Sequence, residues 1–188
     1  RTALYQAFKL QYTGLSTSDK VTDNIERLKE SSTFIVTTGH QTNLFTGRLY
    51  FVYKLLSAIN LAEELGRRYP DLHFVPVYWM GSEDHDFAEI NHIHLFGQTI
   101  RWEQNVGGAT GRLSTETLSE VFETLSPLLG DSENGKKLKD LLRKAYLGQP
   151  TLAEATRYLV NALVGEYGLL VLEPDDRALK HLFRPIME

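Results

Sequence analysis

The hydrophobic and polar positions of this chain predict buried strands that alternate with amphipathic helices. Short apolar runs occupy positions 34–36, 74–80 and 169–172, the first of them β-branched and aromatic, and such runs are typical of buried strands. Between the first two runs, residues 49–65 place apolar side chains at helical spacing, which predicts a long amphipathic helix. A right-handed crossover through this helix would set the two strands side by side and parallel. The pattern therefore predicts an α/β fold with an open parallel sheet.

A different pattern between the second and third strands predicts a small inserted region. Residues 92–96 and 99–103 alternate in polarity around a glycine, as the two arms of a tight hairpin do. Ser114 is a predicted N-cap for a helix, and residues 135–147 have the spacing of a second helix. Both helices and the hairpin interrupt the alternation of strand and helix, which indicates an insertion.

The chain is expected to return to the sheet after this insertion. Thr151 and Glu154 have the spacing of a capping box, which predicts the start of another helix before the third strand. The predicted organisation is a first part of the core in residues 1–100, an inserted connective region in residues 101–150, and a return to the core in residues 151–188.

The loop after the first predicted strand has the composition of an anion-binding turn. Its glycines allow close backbone approach, its threonines offer hydroxyl groups, and the helix that follows supplies free amides and the positive end of a dipole. The same residues also fit a simple turn with capping threonines and a solvated histidine, so both interpretations stay open. The candidate binding residues are Thr38, Gly39, His40, Gln41, Thr46 and Gly47.

The loop after the second predicted strand is denser in reactive groups. It contains Glu83, Asp84, His85 and Asp86 in succession, which could serve as a general base or bind a metal ion or a substrate amine. Helix capping explains one or two of these carboxylates but not the histidine between them. Consecutive residues cannot all point at one ion, and the His-x-x-x-His spacing is missing, so no metal site is predicted here.

Two further groups of polar residues are weaker candidates. Glu173 and Asp175 follow the third strand, and parallel strands carry their ligand-binding loops at the same sheet edge. They are predicted to complete a pocket there, although helix capping is the commoner role for an aspartate such as Asp175. His92 and His94 share one face of the predicted hairpin and could be ligands, but such pairs are more often ordinary surface residues.

Composition narrows the classes of function. The chain has 24 acidic and 20 basic residues among 188, with a pI near 5.9, which argues against a nucleic-acid partner. Cysteine is absent, so disulfides and thiolate metal sites are excluded, and a reducing cytoplasm is the expected compartment. No apolar run reaches the roughly 20 residues that cross a bilayer, and no membrane association is expected.

Three long segments carry a resemblance to a known family. They are TTGHQTNLFTGRLYFVYKLLSAINLAEEL, FVPVYWMGSEDHDFAEINH and GLLVLEPDDRALKHLF. Together they resemble the BshC family of bacillithiol biosynthesis, which is regarded as a cysteine ligase family. The resemblance implies a Rossmann-like core similar to class I nucleotidyltransferases, with an inserted connective domain. It also implies a longer protein with a coiled coil that forms a homodimer, so we expect this chain to be a truncated part without the coiled coil.

The resemblance also implies a reaction and its residues. The implied reaction adds cysteine to glucosaminyl malate through an amide bond, and it requires an activator for which ATP is a candidate that the sequence does not identify. Family motifs assign catalysis to residues 83–86, and binding to the loop that includes Phe45. In this assignment His40 and the amides near Gly39 bind an anionic group, and Glu83, Asp84 or His85 handles the amine or the proton.

Two other classes of function fit the same residues. The chain could be a nucleotide- or metabolite-binding module that has lost its chemistry, or a nucleotidyltransferase that uses another small acceptor. The acidic loop at residues 83–86 separates the first alternative from an enzyme, because a binding module does not need a general base there. All three interpretations require the loops after the three strands to converge on one crevice.

Overall fold

The computed structural model describes residues 1–187 and contains five strands among α-helices and short 3₁₀ turns. The first elements are α1 (Thr2–Gln11), α2 (Asp19–Arg27), β1 (Thr33–Gln41), a 3₁₀ turn (Leu44–Thr46), α3 (Leu49–Arg68), β2 (His73–Gly81), α4 (Phe87–Ile90), β3 (His92–Leu95) and β4 (Gln98–Arg101). The remaining elements are a 3₁₀ turn (Thr110–Arg112), α5 (Leu118–Leu125), a 3₁₀ turn (Ser126–Leu129), α6 (Glu133–Tyr146), α7 (Leu152–Val164), a 3₁₀ turn (Gly165–Tyr167), β5 (Leu170–Leu172), α8 (Arg177–His181) and α9 (Arg184–Met187).

Three of the strands form a parallel sheet in the order β1, β2, β5. The register between β2 and β5 places Val77 opposite Leu170 and Trp79 opposite Leu172. The two strands are separated in sequence by α4 to α7, as expected when an insertion lies between neighbouring strands of one sheet. The predicted α/β class with a Rossmann-like parallel sheet is therefore confirmed.

The structure divides into two compact units. The first unit contains residues 1–40, residues 50–81 and the described chain from Val160 onward. Its core forms where α1 and α2 pack their apolar side chains against one face of the sheet. The buried residues of this core are Phe8, Tyr12, Val21, Ile25, Leu28, Val75, Val77, Leu170 and Leu172.

The second unit contains residues 41–49 and 82–159 and has a core of its own. Trp102 is almost completely buried there, and its ring makes an edge contact with Phe87 at 5.2 Å between centroids. The indole N–H of Trp102 donates a hydrogen bond to the hydroxyl of Thr117 at 2.8 Å, so the polar atom of this buried ring is satisfied. A separate core in each unit explains why the inserted region folds around its own helices.

The hairpin and one helix start agree with the sequence. Strands β3 and β4 pair antiparallel, and the turn between them places Phe96 and Gly97 at positive φ, as a tight hairpin turn requires. The Thr151 hydroxyl donates to the Glu154 carboxylate at 2.7 Å and accepts from the Glu154 backbone N–H at 3.3 Å. The predicted hairpin and the predicted capping pair at the start of α7 are both confirmed. The domain boundaries at residues 100 and 150 stay a prediction.

Two local predictions were wrong. The polar residues 37–41 were expected to form a turn, but they are the second half of β1, because pairing within the sheet outweighs their weak strand preference. Ser114 does not cap a helix; it forms a bridge with Thr151, and α5 begins later, at Leu118. The Thr115 hydroxyl donates to the Gln149 carbonyl, and this contact helps to hold the segment in an extended form.

Candidate functional site

The predicted site residues all lie at, or shortly after, the carboxyl ends of the three parallel strands, but they belong to different units. Those in the first unit are Thr38, Gly39, His40, Glu173 and Asp175. Those in the second unit are Gln41, Phe45, Thr46, Gly47, Glu83, Asp84, His85 and Asp86. Each set is therefore a site region in its own unit, and the convergence of all three loops on one crevice stays a prediction.

In the first unit, the end of β1 is held against the first turns of α3. The half-buried His40 ring makes an edge contact with Phe51 at 5.4 Å and lies 6.2 Å from the Tyr50 ring, measured between centroids. The buried Tyr78 hydroxyl donates a hydrogen bond to the His40 carbonyl at 3.0 Å. Both the backbone and the ring of His40 are thus fixed by aromatic residues of β2 and α3.

Lys54 is a residue of this region that the sequence pattern did not reveal. Its ammonium group donates to the carbonyl of Gly39 and lies 5.3 Å from the centroid of the Tyr50 ring. Gly39 is exposed and Lys54 is half-buried, and the hydrogen bond between them lies at the exposed surface of the unit. A cation beside the amino-terminal turns of α3 adds to the positive end of the helix dipole, and together they suit an anionic ligand. In sequence, Lys54 looks like an ordinary polar position of an amphipathic helix.

The residues after β5 are held by local contacts in the first unit. The Glu173 backbone N–H donates to the Gln11 side chain at 2.8 Å, and the Gln11 amide donates back to the Glu173 carbonyl at 2.9 Å. Asp175 pairs with Lys180, and its side chain is only 6% exposed. The neighbouring Asp176 is the residue that caps α8, through the Leu179 N–H at 2.9 Å. The binding role predicted for Glu173 and Asp175 stays a prediction.

In the second unit, the acidic loop after β2 divides into structural and exposed side chains. Asp84 accepts a hydrogen bond from the Asp86 N–H at 3.0 Å, and Asp86 caps α4 by accepting from the Glu89 N–H at 3.2 Å. Glu83 and His85 are both exposed. Capping therefore accounts for one of the carboxylates, whereas the imidazole and the Glu83 carboxylate are presented to solvent.

The backbone of this loop is clamped by a segment that lies about 26 residues further along the chain. Thr110 donates its N–H to the Asp84 carbonyl at 2.7 Å, and Gly111 donates its N–H to the Ser82 carbonyl at 2.8 Å. The Thr110 hydroxyl also shares a hydrogen bond with the buried Thr42 hydroxyl at 3.0 Å. Thr110 thereby joins the loops that follow β1 and β2 within the second unit. No local motif marked it in the sequence.

A side-chain contact joins the same two loops. The Gln41 amide donates to the Glu89 carboxylate at 3.0 Å, and Glu89 belongs to the short helix that Asp86 caps. The structure therefore brings Gln41, a predicted binding residue, close to the acidic loop within the second unit. Glu89 was not predicted, because its position after the acidic run looks like a solvated helix residue.

The first loop continues through a turn with unusual backbone angles. Phe45, Thr46 and Gly47 all have positive φ, and non-glycine residues adopt such angles at an energetic cost. The Phe45 ring is buried against Tyr146, with 4.7 Å between centroids, and the Tyr146 hydroxyl donates to the Asn43 carbonyl. Burial raises the pKa of Tyr146 well above its usual value, so this hydroxyl stays protonated as a donor. Phe45 anchors the turn in the core, and the binding roles predicted for this turn stay predictions.

The described residues offer no evident metal centre. Among residues 1–187, no group of three or more histidine, cysteine, aspartate and glutamate side chains is placed to hold a metal ion. Within the same residues, no helix combines the length and apolar character needed to span a bilayer.

Comparison with known proteins gives a consistent result. Residues 1–188 match the family model described as "Bacillithiol biosynthesis BshC, N-terminal Rossmann-like domain". The chain is 49% identical over 185 residues to a protein of Flavobacterium johnsoniae named "Putative cysteine ligase BshC", covering 98% of this chain and 35% of that protein. Proteins with the same name from Flavobacterium psychrophilum and Salinibacter ruber are 48% and 34% identical, over 100% and 89% of this chain and 35% and 32% of their own lengths.

The chain thus spans about a third of the length of the curated relatives that it matches. The match includes all three strands of the parallel sheet and the polar segments at their carboxyl ends. The sequence identity to these relatives is also high enough to show common family membership without support from the fold. This chain therefore belongs to the BshC family, whose N-terminal Rossmann-like domain it matches along its whole length.

Proposed function

We propose that the protein containing this chain is a ligase of bacillithiol biosynthesis, which joins the carboxyl group of cysteine to the amine of glucosaminyl malate. The observation that carries the proposal is the match of the whole chain to a domain of a bacillithiol family. The names of the relatives support a cysteine ligase. The exposed acidic and imidazole groups after β2 give such an enzyme a source of acid–base chemistry.

The reaction sets a chemical requirement. Formation of the amide breaks a carbon–oxygen bond of the cysteine carboxylate and forms a carbon–nitrogen bond, while the attacking amine loses a proton. A carboxylate oxygen is a poor leaving group, so the oxygen has to leave together with an activating group. We propose that ATP supplies this activation when bound, and that residues of this chain bind its phosphates and accept the proton.

The end of β1 fits a phosphate group. The Lys54 ammonium group lies at the carbonyl of Gly39, beside the amino-terminal turns of α3. His40 is fixed there by Phe51 and Tyr78 and can donate a hydrogen bond from its ring. We assign binding of the anion to Lys54 and the Gly39 amide, with His40 as a neighbouring contact.

The acidic loop after β2 carries side chains of the kind that proton transfer requires. Because Asp86 caps α4 and Asp84 holds the backbone of Asp86, these two side chains have structural contacts to maintain. Glu83 and His85 are exposed on a backbone that Thr110 and Gly111 hold in place. We assign the general base to His85, with Glu83 as the second acid–base group.

The proposal is tested with the full-length protein, cysteine, glucosaminyl malate and ATP, by mass spectrometry of the product. We expect one amide product, which is lost when any one of the three reactants is omitted. If all three reactants give no product, the ligase function is contradicted. If the product forms equally without ATP, the activator is contradicted.

A matched pair of lysine variants tests the anion site. Lys54→Met removes the ammonium group at Gly39, and Lys136→Met removes an exposed lysine of α6 as a control. We expect Lys54→Met to raise the KM for ATP by about tenfold, the value of one charge-assisted hydrogen bond, and Lys136→Met to leave it unchanged. Equal KM values for ATP in the two variants would contradict the role of Lys54 in binding the anion.

A binding experiment separates the ligase from the two other classes of function. A protein that acts on a different acceptor should be stabilised by another amine-bearing compound and not by glucosaminyl malate, because a ligand raises the melting temperature only of a protein that binds it. A binding module should be stabilised by its ligands and form no product. The ligase requires both stabilisation by glucosaminyl malate and product.

Two properties of the full-length protein complete the proposal. We propose a cytoplasmic location, because the free thiol of the cysteine substrate persists in a reducing compartment. We also propose a homodimer, supported by the coiled coil that the family resemblance implies. Sedimentation of the full-length protein tests the dimer, and a monomer at micromolar concentration would contradict it.

A further inference from the structure

The outward face of the β3–β4 hairpin carries a cluster of nitrogen-bearing side chains. Directly opposite residues of an antiparallel pair lie on the same face, so His92 shares a face with Arg101, and His94 shares it with Thr99. The other face pairs Ile93 with Ile100 and packs into the core of the second unit. The hairpin therefore presents two imidazoles, a guanidinium and a hydroxyl on its outer side, and none of these four residues is acidic.

A buried asparagine organises the inner end of this cluster. Asn91 is only 7% exposed, and its amide donates to the Trp102 carbonyl at 3.1 Å. Its side-chain oxygen lies 3.1 Å from His92 Nδ1 and accepts from the Arg101 guanidinium at 3.4 Å. One fixed oxygen atom thus holds the imidazole and the guanidinium side by side.

The outer end of the cluster is ordered in a similar way. His94 Nδ1 lies 2.9 Å from the Thr99 hydroxyl, and the His94 ring makes an edge contact with the His92 ring at 5.2 Å between centroids. These contacts already restrain both imidazoles. Binding of a ligand to them therefore costs less side-chain entropy.

The electrostatic environment of His92 is positive. Burial is the largest cause that lowers the pKa of His92, and Arg101, His94 and Arg48 lower it further. Arg48 follows the first loop, and the 3₁₀ turn of that loop at residues 44–46 contacts β3. Cations from two segments of the second unit therefore act on the same imidazole.

We propose that this face of the hairpin, with Arg101 and His92 at its centre, binds a small dianion. The chemistry that it recognises is two negatively charged oxygens, as in a dicarboxylate or a phosphate group. Arg101 supplies a guanidinium of planar geometry that suits a pair of such oxygens, and the imidazoles of His92 and His94 lie beside it as neighbouring polar contacts. The inference concerns binding alone and stands apart from the proposed ligation.

Isothermal titration of the full-length protein with L-malate and with inorganic phosphate tests this inference. Ionic strength is held constant, because exposed charges are screened within about 8 Å at physiological salt. We expect saturable binding that Arg101→Gln weakens by about tenfold, with a smaller loss in Arg101→Lys. Arg177→Gln, which removes an exposed arginine of α8, is the matched control and should bind like the wild type.

The two ligands distinguish the source of the dianion. Tighter binding of malate assigns the face to a dicarboxylate, and tighter binding of phosphate assigns it to a phosphate group. The inference is overturned if the wild type binds neither ligand, or if Arg101→Gln binds both as the wild type does. Circular dichroism checks that Arg101→Gln is folded, as expected for an exposed side chain.

Nuclear magnetic resonance of the imidazoles locates the site directly. Addition of the tighter ligand should shift the ring signals of His92 and His94 and leave those of His181, on α8 of the first unit, in place. Shifts of similar size in all three rings would indicate a general ionic effect and would contradict a site on the hairpin.

Discussion

The carboxyl ends of β1 and β2 lead into two regions that are built in opposite ways. At the end of β1, side chains hold the backbone: Tyr78 donates to the His40 carbonyl, and Lys54 donates to the Gly39 carbonyl. In the loop after β2, backbone groups hold the backbone: the N–H groups of Thr110 and Gly111 donate to the carbonyls of Asp84 and Ser82. The side chains that remain exposed in this second loop can therefore be changed at little cost in stability, whereas those at the end of β1 cannot.

The largest effect is expected from a change that breaks the backbone clamp of the second loop. A Cβ atom at Gly111 would lie 2.4 Å from Ser82 Cβ and 3.1 Å from the Ser82 carbonyl oxygen. Gly111→Ala must therefore push the two segments apart, and we expect a loss of about 1–3 kcal/mol in the free energy of unfolding. Denaturation in urea measures this loss.

Gly107→Ala is the matched control for the clamp. A Cβ atom at Gly107 meets no atom within 4 Å, so this variant should unfold at nearly the same urea concentration as the wild type. Equal stability of the Gly107 and Gly111 variants would show that the segment at residues 110–111 does not clamp the loop.

A smaller loss is expected at the end of β1. Tyr78→Phe removes the hydroxyl that donates to the His40 carbonyl and keeps the buried ring, which contacts Phe51 at 5.2 Å between centroids. We expect a loss of about 1 kcal/mol in the free energy of unfolding, the usual net value of one hydrogen bond. Chemical denaturation that finds no loss would contradict the anchoring role of this hydroxyl.

Substitution of the exposed pair in the second loop should change stability least. Glu83→Gln and His85→Ala together remove exposed groups from a backbone that is held elsewhere. We expect the free energy of unfolding to change by less than about 0.5 kcal/mol, as for most surface substitutions. A loss as large as that of Gly111→Ala would mean that these side chains help to hold the loop.

A pH experiment sharpens the comparison in the first unit. Burial lowers the pKa of His73, with Arg27 as the next cause, and His73 Nε2 lies 2.8 Å from the Asn24 side-chain oxygen. Because the unfolded chain takes up the proton first, the contribution of neutral His73 is present above about pH 6.5 and is lost as the pH falls through the lowered pKa.

His73→Gln should therefore reduce the fall in melting temperature between pH 7 and pH 5, although other titrating groups also contribute to that fall. The variant keeps a donor for Asn24, so its melting temperature at pH 8 should stay near that of the wild type. If the melting temperature of the variant falls as much between pH 7 and pH 5 as that of the wild type, protonation of His73 does not destabilise the fold.

The fold could be predicted from sequence because its signals are local. An apolar run such as Leu170–Leu172 fills a strand, and Thr151 and Glu154 mark a helix start within four residues. The length of β1 could not be predicted, because threonine, glycine and histidine favour a turn locally and only pairing within the sheet holds residues 37–41 as a strand.

The candidate site was predicted in part for the same reason. Residues at the ends of strands can be identified in sequence, and the structure places Gly39, His40 and the acidic loop at the ends of β1 and β2, while their roles stay predictions. Thr110 and Lys54 were missed because their contacts join residues that are 26 and 15 positions apart. The structural role of Asp86 was one of the alternatives that the pattern had left open, and the structure shows that it caps α4.

The central claim is that the exposed groups after β2 act in chemistry and not in folding. The most direct measurement is the rate of amide formation by the full-length Glu83→Gln/His85→Ala variant, with its melting temperature recorded in the same buffer. Glu120→Gln, an exposed acidic residue of α5, is the control for a loss of charge. We predict a rate at least about 100-fold below that of the wild type, as for loss of a general base, with an unchanged melting temperature. A rate equal to that of the wild type and of Glu120→Gln would contradict the claim.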